Sequence, residues 1–230
     1  MFAKSRIIAT FLLAALLIVG LASSLHAATV DNALDFDGVN DSVTIATLTN
    51  VPLANTARTV EARVKVPPSF TGYGMVFAYG GTASLARLSV GIQGGKVTVE
   101  SNNSTVTWPA TVNDGTWHHL AVAYPGSGGI VAASVYLDGT ALTGPVSTGG
   151  NQALATVSGP AYVGSLDGAS FFLTGTIDEL RVWNVARTQA QIQAAKGTEL
   201  TGTETGLVAY YPFNQGVASG TNSIQKPSVL

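Results

Sequence analysis

Paired carboxylates are the first chemistry sought in this sequence, because an acid and a nucleophile held about 5 Å apart can cleave a glycosidic bond. On one strand, such a pair needs a spacing of two residues, since alternate side chains share a face. The glutamates are Glu61, Glu100, Glu179, Glu199 and Glu204. None of them has a second carboxylate two residues away, and the adjacent Asp178 and Glu179 point to opposite faces of a regular strand. The carboxylates therefore predict no hydrolytic pair.

Other catalytic signatures are missing as well. The sequence has no G-x-S-x-G nucleophile elbow, no H-E-x-x-H zinc motif and no glycine-rich phosphate loop. It contains no cysteine, which excludes disulfides and thiolate metal sites. The sequence therefore predicts a protein that is not an enzyme.

One turn carries oxygen ligands of the kind that calcium prefers. Asp37, Asn40 and Asp41 lie within five residues, and their carboxylate and amide oxygens suit a cation with six to eight oxygen ligands. Residues of these types are equally common in turns for purely conformational reasons. Both interpretations, a structural calcium site and a plain turn, stay open at this point.

The N-terminus has the anatomy of a secretory signal peptide. Lys4 and Arg6 precede a nearly uninterrupted apolar run over residues 7–21, and Ala27 suits the position before cleavage. The alternative is an uncleaved membrane anchor, for which about 15 apolar residues are short of the ~20 that a spanning helix needs. Cleavage after Ala27 removes two of the eleven basic residues and none of the thirteen acidic ones, so the net charge becomes −4. Such a chain is a poor partner for nucleic acid.

Short β-type runs separated by turn residues fill most of the chain after residue 33. The clearest run, residues 59–66, alternates between apolar residues on one face and Glu61, Arg63 and Lys65 on a face predicted to be solvated. About a dozen such runs, with no alternating helices, predict two packed antiparallel sheets. The predicted strands cover residues 34–37, 42–45, 59–66, 74–79, 86–92, 96–101, 105–108, 117–124, 131–137, 161–163, 171–174, 176–183 and 207–213.

One short helix is predicted near the C-terminus. Thr188 and Gln191 have the spacing of a capping box, residues 189–195 are good helix formers, and Gly197 is placed to end the helix in a left-handed conformation. Residues 215–230 lack periodicity, and they are predicted to be a disordered tail or the truncated continuation of a longer chain.

Five ordered motifs resemble the laminin-G-like, concanavalin A-like jelly roll, in the branch shared with pentraxins and many bacterial surface proteins. They are ALDFDGVNDSV at residues 33–43, DGTWHHLAV at 114–122, VYLDG at 135–139, GTIDELRVWNVART at 175–188 and a final strand at 207–213. The resemblance implies an all-β, two-sheet antiparallel jelly-roll sandwich over residues 28–214. In many relatives with this fold, calcium ties the first strand to a late strand, which implies a bridge from Asp37 and Asp41 to Asp178.

Two histidines and three tryptophans are assigned from strand alternation and motif position. Within 117–124, His118 shares the predicted core face with Leu120, so a core histidine is predicted there. His119 lies on the other face, where it is either groove-facing or a solvated surface residue. The tryptophans in the two strongest motifs, Trp117 and Trp183, are predicted to be core.

Exposed aromatic residues are the candidate ligand-binding groups, because sugars are gripped by aromatic faces. Trp108 and Tyr73 lie among turn and polar residues, where exposure is expected, and His119 is the third candidate. The first functional hypothesis is a non-catalytic secreted glycan-binding or adhesion module. Whether a structural calcium ion stabilises it depends on which of the two interpretations of the Asp37 turn holds. The alternatives are a structural or protein-interaction module of a larger cell-surface protein, and an inactive glycoside-hydrolase relative.

Overall fold

The computed structural model describes residues 32–46, 48–102 and 104–214. The predicted signal peptide, residues 1–27, and the predicted tail, residues 215–230, lie outside the described residues. No helix in the described part of the chain is long and apolar enough to cross a membrane.

Alternating apolar and polar residues form the strands, and Gly and Asx residues make the turns between them. The strands are β1 (Leu34–Asp37), β2 (Val43–Ile45), β3 (Arg58–Lys65), β4 (Tyr73–Gly80), β5 (Arg87–Gln93), β6 (Lys96–Ser101), β7 (Ser104–Trp108), β8 (Trp117–Tyr124), β9 (Ser134–Leu137), β10 (Thr140–Ala141), β11 (Val146–Gly149), β12 (Ala161–Val163), β13 (Thr174–Trp183) and β14 (Leu207–Tyr211). One helix, α1, spans Gln189–Ala195.

The strands form two antiparallel seven-stranded sheets. The sheet called here the front sheet has the order β11-β7-β6-β5-β4-β12-β2. The back sheet has the order β1-β13-β3-β8-β9-β10. The strand β14 also pairs with β13, over residues 180–183, whereas β1 pairs with residues 174–177. The predicted all-β jelly-roll sandwich with one short helix is confirmed.

The core lies between the sheets and is built from alternate residues of the strands. Val60 and Val64 of β3 and Leu120 of β8 face it from the back sheet, while Val90 of β5 and Val99 of β6 face it from the front sheet. Because alternate residues face outward, each central strand also carries a second set of side chains on the outer surface of its sheet. The candidate functional groups belong to this second set.

The helix α1 packs on the outer surface of the back sheet. Its Ile192 is buried with Ala121 and Tyr136. The predicted capping box at Thr188 and Gln191 is confirmed, since each side chain bonds the backbone of the other. The predicted left-handed stop at Gly197 is wrong: the helix ends at Ala195, Lys196 after it is right-handed, and the φ of Gly197 is not in the left-handed region.

Three segments differ from the predicted strands. Ile130–Ala132 form a 3₁₀ turn, so β9 begins only at Ser134 rather than at residue 131. Residues 171–173 are a loop, and β13 begins at Thr174. The strand β11 was not predicted, because all four of its residues are exposed and carry no apolar alternation.

Candidate functional site

A loop over residues 164–173 covers one half of the outer surface of the front sheet. Leu166 packs against the outward-facing Met75 and Ala78 of β4, and the backbone N–H of Met75 donates to Phe171 O over 3.0 Å. Gly168 of the same loop lies beside Tyr162 of β12. The loop therefore forms a wall over β12 and β4, and it leaves the outer surface of β5, β6, β7 and β11 uncovered.

The ring of Tyr73 lies across the sheet at the foot of this wall. Tyr73 belongs to β4, yet its hydroxyl donates to Oε2 of Glu100 on β6 over 2.5 Å, so the side chain spans β5. Gly91 of β5 makes this possible: a Cβ built there would lie 3.4 Å from Tyr73 Cε2 and only 2.7 Å from the carbonyl oxygen of Gly74. The absence of a side chain at Gly91 thus lets an aromatic ring lie over the centre of the sheet.

Phe171 stands beside this ring in a strained backbone conformation. Its φ is +51°, a left-handed value that is a genuine outlier for a bulky residue, and its side chain is 43% exposed. The ring centroids of Phe171 and Tyr73 lie 5.0 Å apart at 56°. An exposed apolar ring held at a conformational cost points to a functional surface.

Polar groups lie next to the aromatic pair. Arg87 Nη2 is 3.9 Å from Glu100 Oε1, and Ser89 lies opposite Glu100 in the register of β5 and β6. Although Ser89 faces outward, it is 0% exposed, and its Oγ has no hydrogen-bond partner among the described residues; the same holds for Arg87 Nε. Buried polar groups are normally paired, so two unpaired polar atoms directly beneath this surface set it apart from the rest of the sheet.

The protonation of Tyr73 is secured by its surroundings. Burial and the hydrogen bond to Glu100 both raise the pKa of the Tyr73 hydroxyl far above its usual value of 10.0. The hydroxyl is therefore protonated at neutral pH, where it donates to Glu100 and the ring is uncharged.

Of the three predicted ligand-binding residues, only Tyr73 lies at this site. The prediction that Trp108 is exposed is wrong: it is 2% exposed, because it pairs with Val97 in the register of β6 and β7 and both side chains face the core. Its neighbour Pro109 is exposed. The alternation of Val106 and Trp108 in the predicted strand 105–108 is the signal that places both side chains on one face.

His119 lies on the opposite surface of the molecule and is neither groove-facing nor solvated. It is 5% exposed on the outer surface of the back sheet, with Nε2 3.2 Å from Glu61 Oε2. Glu61 also receives a hydrogen bond of 2.5 Å from Arg187, which lies 4.0 Å from the ring centre of Trp183. Burial opposes the charge of Glu61, but the contacts with His119 and Arg187 outweigh it and lower the pKa of the carboxyl below 4.5. The predicted solvated face of β3 is therefore wrong at Glu61.

A second ion pair continues this network towards the helix. Arg181 Nη2 donates to Glu179 over 2.5 Å and to Thr198 O over 2.5 Å, while Nη1 donates to Ala195 O over 2.9 Å. The hydroxyl of Tyr210 donates to the other oxygen of Glu179 over 2.7 Å. The charged residues of the 175–188 motif thus fasten α1 and the segment after it to the back sheet.

A bulge explains how Asp178 and Glu179 both take part in contacts on this outer surface. The register of β13 with β3 shifts between Asp178 and Arg181, and Glu179 has φ +51°. A bulge inserts an extra residue, so the strict alternation of a regular strand does not hold here. The pairing expected between Glu179 and Arg181 is confirmed.

The Asp37 turn uses its carboxylates for its own backbone. Asp37 Oδ1 accepts from the N–H of Val39 over 2.7 Å, and Asp41 Oδ2 accepts from the N–H of Asp37 over 2.9 Å. Asn40 is exposed beside them. These contacts are those of an Asx turn.

Asp178 does not join this turn, so the bridge implied by the resemblance is wrong. Asp37 pairs with Thr174, and Asp178 lies four residues further along β13, about 13 Å away at the rise of a strand. Asp178 is instead buried 3.5 Å from Arg63 of β3. Within the described residues no group of three His, Cys, Asp or Glu side chains could hold a metal ion. Calcium binding by Asp37, Asn40 and Asp41 alone stays a prediction.

Two motif residues that were predicted to be core, His118 and Trp117, are not in the core. His118 is not in the core: its Nδ1 lies 2.8 Å from Asp138 Oδ2 and its Nε2 lies 3.2 Å from Asp114 Oδ1. Trp117 is 37% exposed rather than core, with the Arg63 guanidinium 5.0 Å from its ring centre. Both residues lie at the start of β8, and Trp117 faces outward because it pairs with the exposed Lys65. Trp183 is core, as expected.

The site residues that the sequence analysis missed are Phe171, Glu100, Arg87 and Ser89. Alternation along β5 and β6 does place Arg87, Ser89 and Glu100 on outward faces, since Leu88, Val90 and Val99 face the core. Nothing local indicates that Tyr73 reaches across a strand to Glu100. The sequence around Phe171 predicts a strand over residues 171–174, and nothing in it indicates an exposed loop residue with a left-handed φ.

Comparison with known proteins places this fold. A family model described as the concanavalin A-like lectin/glucanases superfamily matches residues 37–193. A comparison with curated protein sequences gives no match.

Solved structures with a similar fold come from several kinds of protein. A candidate carbohydrate-binding protein from Bacteroides ovatus has 19% identity and a TM-score of 0.60, over 80% of this chain and 52% of that one. This chain therefore spans about half the length of that protein. Domain 4 of an extracellular arabinanase from Geobacillus stearothermophilus, in complex with arabinotriose, has 18% identity and a TM-score of 0.52, over 71% and 76% of the two chains.

A heptameric pentraxin from Limulus polyphemus has 19% identity and a TM-score of 0.51, over 71% of this chain and 80% of that one. At these identities the likeness concerns the fold alone. The family match, in contrast, covers more than half of the sequence and includes three of the five motifs whole and most of the first. The chain therefore belongs to the concanavalin A-like lectin/glucanases superfamily, as a laminin-G-like jelly-roll domain.

Proposed function

We propose that this protein is an exported, non-catalytic carbohydrate-binding module whose ligand lies on the outer surface of the front sheet. The observation that carries the proposal is the ring of Tyr73, which lies over Gly91 beside the exposed Phe171 and next to Arg87 and Glu100. We define the sugar site as these residues together with Ser89.

The sugar site combines the two kinds of contact that a sugar ring needs. The aromatic rings of Tyr73 and Phe171 offer apolar surface to its C–H groups. The removal of such surface from water is favourable. The hydroxyl groups of a sugar both donate and accept hydrogen bonds. Glu100 supplies an acceptor and the Arg87 guanidinium supplies donors, and these side chains are 16% and 12% exposed.

The arrangement of carboxylates supports a binding role rather than hydrolysis. Glu100 accepts a hydrogen bond from the Tyr73 hydroxyl over 2.5 Å, and its Oε1 lies 3.9 Å from Arg87 Nη2. Glycoside hydrolysis uses two carboxyl groups that flank the same bond. The other strand-borne glutamates, Glu61 and Glu179, lie in ion pairs on the outer surface of the other sheet.

Structural relatives and the N-terminal sequence add support of a different kind. The similar arabinanase domain was solved with an arabino-oligosaccharide, and the Bacteroides ovatus protein is a candidate carbohydrate-binding protein. The predicted signal peptide at residues 1–27 supports export, and therefore a secreted, extracellular or cell-surface location.

The burial of Trp108 favours a second candidate, a protein-interaction module, because it removes one of the aromatic groups expected at a sugar site. Under this alternative, the exposed threonines beside the sugar site would contact a partner protein. Binding of glycans that requires Tyr73 and Phe171 separates the two functions.

The test is a glycan array followed by titration calorimetry on residues 28–230. The array carries neutral and acidic oligosaccharides, and the variants are Tyr73→Ala and Phe171→Ala. The matched control is Trp117→Ala, which removes a partly exposed aromatic side chain from the opposite surface. We expect each site variant to weaken binding at least about tenfold, since stacked aromatic residues contribute roughly 1–3 kcal/mol, while Trp117→Ala binds normally. Normal binding by both site variants would contradict the proposal.

A further inference from the structure

The outer surface beside Tyr73 extends over three further strands, β6, β7 and β11, that carry threonine side chains. Next to Glu100, β7 presents Thr105 and Thr107, and β11 presents Thr148 opposite Thr105. Thr98 of β6 lies between Gly91 and Thr107 in the same register. We call these four residues the threonine track.

The threonine track is low, polar and continuous with the sugar site. Its side chains are small. Oγ1 of Thr98 lies 3.3 Å from Oγ1 of Thr107, so these two hydroxyl groups are hydrogen-bonded to each other. Thr98 itself is buried, whereas Thr105 and Thr107 are partly exposed and Thr148 is exposed. Neighbouring strands lie about 4.8 Å apart, so the way from β5 across β6 and β7 to β11 is roughly 14 Å long. A ligand that continues beyond the Tyr73 ring crosses β6 and then meets the accessible hydroxyl groups of Thr105 and Thr107 on β7 and of Thr148 on β11.

At its other end, the surface is closed. Leu166 covers Met75 and Ala78, and Phe171 stands at the edge of the Tyr73 ring, so β4 and β12 are not accessible beyond it. The geometry is a corner at Tyr73 and Phe171 with an open track leading away from it. A chain that runs across the strands can therefore reach the corner only with one of its ends.

The charges on this surface favour an uncharged chain. Arg87 and Glu100 face each other over 3.9 Å and compensate one another. Lys96 is the further charged group of these strands on the outer surface, and it is exposed, so water and salt screen it. Within the described strands β4 to β7 and β11, Arg87 and Lys96 are the only cationic residues.

We infer that the protein binds the end of an uncharged glycan chain, with the terminal unit in the corner of Tyr73 and Phe171 and the next units on the threonine track. This inference rests on the proposed function and goes beyond it, because it specifies a chain, its end and its direction across the strands.

The experiment uses residues 28–230 and neutral gluco-, xylo-, manno-, galacto- and arabino-oligosaccharides of one to six units, with calorimetry on the series that binds. We expect the affinity to rise about fivefold with each unit until the track is filled, as one net hydrogen bond per unit would give, and then to level off. Oligosaccharides immobilised through one chain end should bind, and those immobilised through the other should not.

Two variants locate the chain on the track. Thr107→Leu should weaken binding of chains that reach β7, whereas Thr148→Leu should weaken only longer chains that reach β11. Thr44→Leu is the matched control. Thr44 is an exposed, outward-facing threonine of the same sheet, on the edge strand β2, and the wall separates it from the sugar site.

The outcomes separate this inference from the proposed function. Equal affinity for a single sugar and a long chain, or tolerance of attachment through either end, would overturn the inference and leave the sugar site intact. If no glycan binds to the wild-type protein, neutral or acidic, then the proposed function fails and the inference fails with it.

Discussion

Tyr73 and Glu100 are joined by a hydrogen bond of 2.5 Å although their strands are not neighbours. The strand between them, β5, contributes Gly91 at the crossing point, where any side chain would meet the backbone of β4. This relationship fixes the ring in the plane of the sheet, and the proposed sugar site depends on it.

Substitution of Gly91 should therefore displace the ring. In Gly91→Ala the new Cβ would lie 2.7 Å from the carbonyl oxygen of Gly74 and 2.8 Å from Met75 Sδ. We expect a loss of about 1–3 kcal/mol in unfolding free energy, as for overpacked cores, together with weaker glycan binding. Urea unfolding and calorimetry measure the two effects. Gly197→Ala, where a Cβ meets nothing within 4 Å, is the control and should change neither.

Trp108 and Trp117 should respond in opposite ways to truncation. Trp108→Ala removes a buried core side chain and should cost about 3–5 kcal/mol in unfolding free energy. Trp117→Ala removes a partly exposed ring and its contact with Arg63, which is worth about 0.5–1 kcal/mol. Denaturant unfolding of the two variants checks this, and similar losses in both would contradict the assignment of Trp108 to the core.

Glu61 should be necessary for the stability of the back sheet. Its removal in Glu61→Ala leaves Arg187 without the carboxylate that compensates it, and breaking a buried ion pair in this way costs about 3–5 kcal/mol. Lys65→Ala on the same strand removes an exposed charge and should stay within about 0.5 kcal/mol of wild type. Equal unfolding midpoints in urea for the two variants would show that the network contributes nothing.

His118 should make stability fall as the pH rises above neutrality. Burial disfavours its charge, but the hydrogen bonds and charges of Asp138 and Asp114 outweigh burial and raise the pKa of His118 above 6.5. A raised pKa gives stability that is complete below pH 6.5 and is lost as the pH rises through the folded value. Lys196, whose Nζ donates to Asp138 O, and Thr116 also face this cluster.

Unfolding free energies in urea between pH 5 and pH 9 test this dependence. In His118→Gln the decline above pH 6.5 should disappear. The opposite sign holds for Asp138, whose pKa is lowered below 3.8 because hydrogen bonds from His118 and His119 outweigh its burial. Its contribution is present above pH 3.8 and is lost below that value, so both proteins should still lose stability in acid. An unchanged slope above neutrality in His118→Gln would refute the role of this residue.

Calcium, if it binds at the Asp37 turn, should do so without Asp178. Any rise in melting temperature on addition of calcium, reversed by excess chelator, should disappear in Asp41→Asn. It should persist in Asp178→Asn, because Asp178 lies about 13 Å along β13 from the partner of Asp37. A calcium response abolished only by Asp178→Asn would restore the bridge that the register of β1 and β13 excludes.

Local sequence was sufficient for those features whose cause is local. The alternation in 117–124 predicted both ends of β8 correctly. The spacing of Thr188 and Gln191 predicted the capped start of α1. Both follow from the two-residue repeat of a strand and from side chains that reach only a few residues along the chain. The five motifs in order likewise predicted the jelly roll.

Burial and partners at the ends and outer faces of strands were decided by the tertiary structure alone. Trp108 is buried because β7 pairs with β6 in a register that turns it inward, and Glu61 is buried because α1 and Arg187 cover the outer face of β3. Tyr73 meets Glu100 and Phe171 because a strand and a loop distant in sequence converge there. Alternation states which residues share a face, but it cannot state what lies opposite that face, since strand pairing and loop packing join residues far apart in the chain.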